Sequence, residues 1–263
     1  MNIEVQSEMT TDNSMQTISR TIQILQSFSL DESELSLADL HQKLGLSKSS
    51  LQRILNTLVT FGFLEKDNKK KTYKLGMELY YLGNLVEKHS HLITTVKPYL
   101  KQLRDELGEN VYLNIVENNE RKCIAFEEAK QLLMTITHIG QTSPLYAGAS
   151  AKVFLAYFDS GKLKDYFDSI DLEEITDKTI IEKSQLLDEL ATIRDNGYAI
   201  SFGERVPGVC SVSTPLFNRY NEVIASVSIS APMVRVTDDV IKSFIENIKI
   251  ISNKINEELK FMN

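Results

Sequence analysis

Residues 36–76 constrain this chain most, because they write two helix boundaries and a hairpin into one short stretch. Ser36-Leu-Ala-Asp39 has the form of a capping box, with Asp39 in place of the usual Glu or Gln, and the apolar positions Leu37, Leu40 and Leu44 follow. Gly45 can take the left-handed conformation that ends a helix. Leu46 returns to the core, and Ser47 offers a hydroxyl as N-cap of a second helix. On that helix Leu51, Ile54, Leu55, Leu58 and Val59 share one side. Lys48, Ser49, Gln52, Arg53, Asn56 and Thr60 share the other. Two helices joined by about three residues, the second with a polar outer face bearing Arg, Gln and Asn, form a helix-turn-helix pattern. Gly62 stops the second helix. Residues 63–66 and 72–75 then read as a hairpin around Asp67-Asn-Lys-Lys-Lys71, the basic wing of a winged helix.

Taken singly, each piece has an ordinary explanation. A leucine-lined helical hairpin suits any bundle, and Lys69, Lys70 and Lys71 suit a solvated turn. Charge distribution joins them. Residues 41–76 carry eight Lys/Arg against Glu65 and Asp67, on a chain whose net charge is −7. A basic patch on an otherwise acidic protein is an electrostatic footprint for a polyanion. The expected partner is double-stranded DNA. Gln52 and Arg53 are the candidates for base edges. Ser49, Ser50 and the wing lysines are candidates for phosphates, with Lys48 and Asn56 beside them.

At 263 residues and 42% hydrophobic content the chain has room for two cores. No apolar run is long enough to span a membrane, and the polar N-terminus does not resemble a signal sequence. Cys123 and Cys210 are far apart with no CxxC. His41, His89, His91 and His138 form no ligand-spaced cluster. Zinc, a disulfide framework and secretion are therefore not expected, and a cytoplasmic location is. No Ser-His-Asp or His-Cys motif, P-loop or GxGxxG is present, so no catalytic residues and no enzyme activity are expected. Cys210, flanked by Val209 and Val212, reads as a buried small hydrophobe.

The expected organisation is a mobile tail (1–13), a winged helix-turn-helix (14–76), a linker helix (77–91) and an α+β domain (92–263). Ile18, Ile22, Leu25 and Phe28 mark a first helix packing behind the helix-turn-helix. Leu79, Leu82 and Val86 offer a stripe for a partner along the linker. A long helix runs from residue 93 to 107 through Pro98, which either kinks it or marks its true first turn, with Gly108 as its stop. Residues 111–116, 122–127 and 132–138 read as successive antiparallel strands, 150–158 and 181–196 as helices. Residues 198–202, 210–214 and 223–230 read as strands before a closing helix of about twenty residues from Asp238.

These features resemble the isocitrate-lyase-regulator (IclR) family of bacterial transcription factors, from about Ser14 to the C-terminus. Ser19-Arg-Thr-Ile-Gln-Ile-Leu25 resembles the family's first helix, and Gly45-Leu-Ser-Lys-Ser-Ser-Leu-Gln-Arg-Ile-Leu its recognition helix. Tyr73-Lys-Leu-Gly76 resembles the end of its wing. Pro144-Leu-Tyr-Ala-Gly-Ala-Ser-Ala-Lys152 and Ser228-Ile-Ser-Ala-Pro232 resemble its ligand-binding domain. The resemblance implies a winged helix, a linker helix and a GAF/profilin-like effector-binding domain. It also implies homodimers, often dimers of dimers, that act as repressors or activators.

It implies further that the effector pocket is framed by the loop at Ala149, Ser150 and Ala151 and by Ser201, Ser211, Ser228 and Ser230. Relatives that bind small keto acids typically carry Asp and Cys where this chain has Ser201 and Ser211, and Gly where it has Ala151. Loss of that Asp leaves a pocket better suited to an anion, so a small organic carboxylate is the expected effector. The residues themselves agree. Gly148-Ala-Ser-Ala151 opens a helix with small residues, so backbone N–H groups can approach an anion. Ser228 and Ser230 alternate on an apolar strand and share a face, where their hydroxyls meet either a polar ligand or neighbouring backbone. Glu204 and Arg205 read as ligand groups or a surface ion pair, with the structural role favoured.

Overall fold

The computed structural model describes residues 13–131 and 137–260. The expected tail, apart from Asn13, and residues 132–136 of the expected third strand lie outside the described residues. The chain divides into two compact units, Met1–Glu87 and Lys88–Asn263.

The first unit runs α1 (Asn13–Gln26), β1 (Leu35–Ser36), α2 (Leu37–Leu44), α3 (Lys48–Thr60), β2 (Leu64–Asp67), β3 (Thr72–Leu75) and α4 (Met77–His89). The capping box forms as the sequence implies. Ser36 Oγ accepts the Asp39 N–H at 3.2 Å, and the Asp39 carboxylate accepts the Ser36 N–H at 2.8 Å. Gly45 closes α2 at φ 66°, and Ser47 caps α3 by accepting the Ser50 N–H. The sheet has the order β1-β3-β2, with Leu64 opposite Leu75. Asp67 Oδ1 accepts the Lys69 and Lys70 N–H groups at 2.8 and 3.1 Å and so shapes the wing turn. Gly76 ties the wing back to the end of α3, its N–H donating to the Phe63 carbonyl at 2.8 Å.

Ile24, Leu35, Leu40, Leu51, Leu55, Leu64 and Tyr73 form the centre of this unit. The first helix packs differently from the sequence expectation. Its buried residue is Ile24, backed by Leu25 and Phe28, whereas Ile18 and Ile22 are exposed. At about 100° per residue Ile22 lies roughly 160° around the helix from Ile24, so α1 has two apolar sides and only one faces the core.

In the second unit, α5 (His91–Leu107) is capped by Ser90 and ended by Gly108 at φ 69°, with Pro98 inside the helix rather than at its first turn. There follow β4 (Asn110–Glu117), β5 (Glu120–Glu127), β6 (Thr142–Pro144), α6 (Ala149–Ala156), α7 (Ser160–Asp168) and α8 (Lys183–Asn196). The unit closes with β7 (Ala199–Phe202), β8 (Val209–Phe217), β9 (Val223–Pro232) and α9 (Asp238–Leu259). The strands form one antiparallel sheet in the order β6-β5-β4-β9-β8-β7.

The two faces of this sheet differ. Val111, Leu113, Val212, Leu216, Val227 and Ile229 join α5 and α9 in a continuous core. Their strand neighbours Tyr112, Asn114, Ser211, Ser213, Ser228 and Ser230 point the other way, because side chains alternate along a strand. A second core of Leu145, Val153, Phe154, Tyr166, Leu186, Leu190 and Ile193 is contributed mainly by α6, α7 and α8. A β-bulge at Leu113/Asn114 puts Cys123 opposite Asn114 but Ala125 opposite Leu113. Residues 121 and 123 therefore share the polar face, while Ala125 joins the apolar core.

Candidate functional site

The outer face of α3 is the first candidate site. Leu51, Ile54, Leu55 and Leu58 are buried, which turns Lys48, Ser49, Arg53 and Asn56 outward. Gln52 is half-buried and engaged: its amide donates to Asn56 Oδ1 at 2.8 Å and to the Tyr73 hydroxyl at 3.1 Å. That contact fixes the wing against the recognition helix. It leaves Arg53 as the exposed base-reading candidate on that turn. Ser50 uses its N–H in the cap, and the Ser49 hydroxyl lies 3.3 Å from that of Ser47. Of the wing lysines, Lys70 pairs with Glu34 at 3.1 Å, and Lys69 and Lys71 are exposed without an acidic partner among the described residues.

Helix α4 has no buried residue. Tyr81, Leu82, Leu85 and Val86 are exposed, with Val86 at 68%, and Leu79 is half-buried. On α1, Met15, Ile18 and Ile22 add exposed apolar side chains at helical spacing.

The second candidate site lies on the polar face of the six-stranded sheet. A small cavity is lined by Tyr112, Asn114, Arg121, Thr137, Gly148, Ala149, Ser150, Ser201, Glu204, Arg205, Val206, Val209, Ser211, Ser228 and Ser230. Six of the seven effector-binding candidates from the sequence meet here. Ala151 does not; it is buried one residue further into α6.

The start of α6 is not an open anion cradle. The Gly148 N–H donates to Glu204 Oε2 at 3.0 Å, and the Ala149 N–H donates to the Ser201 hydroxyl at 3.0 Å. Protein groups thus fill two of the orphan donors a ligand would need. Glu204 is no surface ion pair with Arg205. It is buried, and its Oε1 lies 2.7 Å from Lys152 Nζ. Lys152 is itself 0% exposed and also reaches Glu189 at 2.9 Å.

The serines are partnered across strands. Ser211 and Ser230, opposite each other in register, have hydroxyls 2.7 Å apart, and so do Ser213 and Ser228. Asn114 donates to Ser228 at 3.2 Å and accepts from Arg121 Nη1 at 3.3 Å. A hydrogen-bonded ladder therefore runs from the β8–β9 serines to a buried guanidinium.

Arg121 is the residue the sequence reading missed. It is 1% exposed, and Nε donates to Ser143 Oγ at 2.9 Å. Among the described residues its Nη2 is a buried atom with no hydrogen-bond partner. Arg205 also lines the cavity and donates to Thr137 Oγ1 at 3.2 Å. Burial, and then the charge of Arg205, lower the Arg121 pKa to about 10; burial lowers that of Arg205 as well. Both still carry a proton at neutral pH, so the cavity holds two cations.

Burial pushes the thiols of Cys123 and Cys210 up to about 11. Neither presents a thiolate at neutral pH, which removes support for a redox or nucleophilic role. Among the described residues no group of His, Cys, Asp and Glu could hold a metal ion, and no helix is long and apolar enough to cross a membrane.

Comparison with known proteins finds matches over most of the chain. A family model described as bacterial transcriptional regulator IclR C-terminal matches residues 85–257, and one described as IclR helix-turn-helix domain matches 17–68. The chain is 30% identical over 235 residues to the HTH-type transcriptional regulator XynR of Escherichia coli K12, covering 89% of this chain and 93% of that protein. It is 25% identical over 232 residues to the transcriptional repressor IclR of the same organism, covering 88% and 85%. A solved structure of an IclR homologue from Microbacterium hydrocarbonoxydans, complexed with 4-hydroxybenzoate, matches with a TM-score of 0.80 at 19% identity, covering 93% of this chain and 99% of that one.

Proposed function

Because the chain belongs to the IclR family of bacterial transcriptional regulators, we propose that it is a cytoplasmic homodimeric repressor whose hold on its operator is set by a small organic anion. It is a DNA-binding regulator with a C-terminal effector-binding domain. The observation that carries the DNA-reading assignment is the exposed Arg53 on the outer face of α3, beside a wing whose exposed Lys69 and Lys71 have no acidic partner among the described residues. Arginine suits guanine in the major groove, and lysines suit phosphates.

Fluorescence anisotropy on a duplex selected from a random pool, alongside an arbitrary duplex, tests the assignment. Arg53→Ala is expected to cost roughly 1–3 kcal/mol on the selected duplex and to relax discrimination at one base position. Lys69→Ala should weaken both duplexes alike. Equal loss on both duplexes for Arg53→Ala removes it from base reading.

The exposed apolar faces of α1 and α4 support a dimer built there, since a surface this apolar calls for a partner. A two-fold dimer would place two recognition helices about 34 Å or a multiple of it apart, on an inverted-repeat operator, and two such dimers can pair. A double variant, Leu82→Glu with Val86→Glu, should reduce the mass seen by sedimentation equilibrium to that of the monomer. An unchanged mass places the interface elsewhere.

The cavity of Ser201, Ser211, Ser228 and Ser230 is the proposed effector site. That a homologue of the same fold holds 4-hydroxybenzoate supports a small carboxylate as the class of occupant. Binding would bias how the two halves of the dimer are held, by an amount bounded by the effector's differential affinity for the two arrangements, typically about 1–3 kcal/mol.

A further inference from the structure

We propose that Arg121 and Arg205 form the charge-reading end of the effector cavity, and that the effector is a compact carboxylate whose anionic group bridges the two guanidinium groups. The proposal rests on the reading of this cavity as the effector site and says what that site selects.

Arg121 is held in place from two sides without being satisfied. Nε donates to Ser143, and Nη1 donates to Asn114 Oδ1 and, at 3.5 Å, to the Gln141 carbonyl. All of these acceptors are neutral. A purely structural role in pinning β6 and β4 to β5 accounts for those bonds and leaves Nη2 over, buried and unpartnered among the described residues. Neither Arg121 nor Arg205 has a carboxylate within ion-pair distance among the described residues. Glu120, next to Arg121 in sequence, is exposed, and Glu204, next to Arg205, is already paired with Lys152 and accepts the Gly148 N–H. A buried cation without an opposite charge is costly, and two in one enclosure add repulsion. A neutral ligand or a water can complete the hydrogen bonds of Nη2 but not the charge. A carboxylate completes both, because its planar pair of oxygens matches the guanidinium fork.

Size and the far wall narrow the class. The cavity has a volume of about 30 Å³, where one water needs roughly 10–15 Å³ on the same measure. A ligand of more than a few heavy atoms must therefore displace side chains, and Arg205, tied by one bond to Thr137, is the freer of the two cations. At the other end Ser211 and Ser230 share a single hydrogen between their hydroxyls, which leaves one hydroxyl hydrogen to donate. An acceptor oxygen on the ligand, such as a hydroxyl or carbonyl, can take that hydrogen.

The test is thermal unfolding and calorimetric titration of the full chain at constant ionic strength. The probes are lactate, succinate, benzoate and 4-hydroxybenzoate, their amides, and inorganic phosphate. At least one carboxylate is expected to raise the melting temperature while its amide does not. Its affinity should fall about 10- to 100-fold in Arg121→Met and less in Arg205→Met, with part of the loss restored in Arg121→Lys. Should Arg121→Met not fold, Arg205→Met and Arg121→Lys carry the comparison. Binding of amide and acid alike, or wild-type affinity in the arginine variants, overturns the charge reading and leaves the effector site standing. Binding of phosphate alone, or of no probe, also overturns it. A carboxylate that still binds Ser211→Tyr, which fills the cavity, lies elsewhere, and the effector-site reading then fails as well.

Discussion

Lys152→Met is expected to destabilise the C-terminal unit by about 3–5 kcal/mol, which corresponds to a drop in melting temperature of roughly 6–20 °C. Lys152 is wholly buried, and both of its ion-pair partners depend on it differently. Glu189 is part-exposed and can turn to water. Glu204 cannot, so removing the ammonium leaves a buried carboxylate held, among the described residues, by the Gly148 N–H. The pair also organises the pocket, since Glu204 anchors the turn into α6. Adding Glu204→Gln to Lys152→Met should recover a large part of the loss, because an amide still accepts from Gly148 and carries no charge. Urea unfolding of the wild type, both single variants and the double variant closes the cycle. If Lys152→Met costs no more than a surface substitution, the ion pair is not what holds this turn.

Gly76→Ala should damage the DNA-binding unit more than any other single methyl group added to it. A Cβ at Gly76 would lie 2.1 Å from the Gly62 carbonyl oxygen and 2.9 Å from the Phe63 carbonyl carbon. Both obstacles are backbone, so no rotamer change can make room. The strand leaving the wing must pull away from the end of α3, breaking the Gly76–Phe63 and Glu78–Gly62 hydrogen bonds. Over-packing of this kind costs about 1–3 kcal/mol or more. Here it also moves the wing relative to α3, so operator affinity should fall together with stability. Gly83→Ala in α4 is the control: beyond its own stretch of helix nothing lies within 4 Å of its added Cβ, and it should leave the melting temperature unchanged or higher. Gly76→Ala with wild-type stability and wild-type DNA affinity would show that the wing tolerates displacement.

Local features of this fold were legible in the sequence because they are encoded within a few residues. The capping box at Ser36, the Gly45 and Gly108 helix ends and the alternation of Ser228 and Ser230 all formed as expected. What depended on contacts distant in sequence was not legible. Helix α1 carries apolar residues on two sides, and only the tertiary fold chooses Ile24 over Ile22. Helix α7 opens with Ser160 and Gly161, poor helix formers, and is held by the Asp159 cap and by burial of Tyr166. Strand β6 has three residues and includes Pro144.

For the pocket, the serines were visible but their partners were not, since the β8–β9 register decides that Ser211 meets Ser230. Arg121 was hidden twice. Strict alternation along β5 would group it with Ala125, and the bulge puts the two on opposite faces. Its fixing bonds to Asn114 and Ser143 come from two other strands.

The wing and its surroundings carry carboxylates whose effect the local charge excess conceals. Lys43 pairs with Glu32, Lys70 with Glu34 and Lys74 with Glu65, and Lys70 and Thr72 together hold the Glu34 carboxyl below its usual range. These acids are built-in counterions. Association with DNA draws much of its free energy from the release of cations condensed on the phosphates, with a slope of about −0.9 in log K against log salt for each phosphate neutralised. A lysine that must first leave its own carboxylate contributes less than a full unit to that slope. The head therefore binds arbitrary duplex less tightly, and with a shallower salt dependence, than its lysine count alone would give. On a chromosome crowded with competing sites, that restraint shortens each fruitless stop and leaves a larger share of the discrimination to the groups that touch base edges.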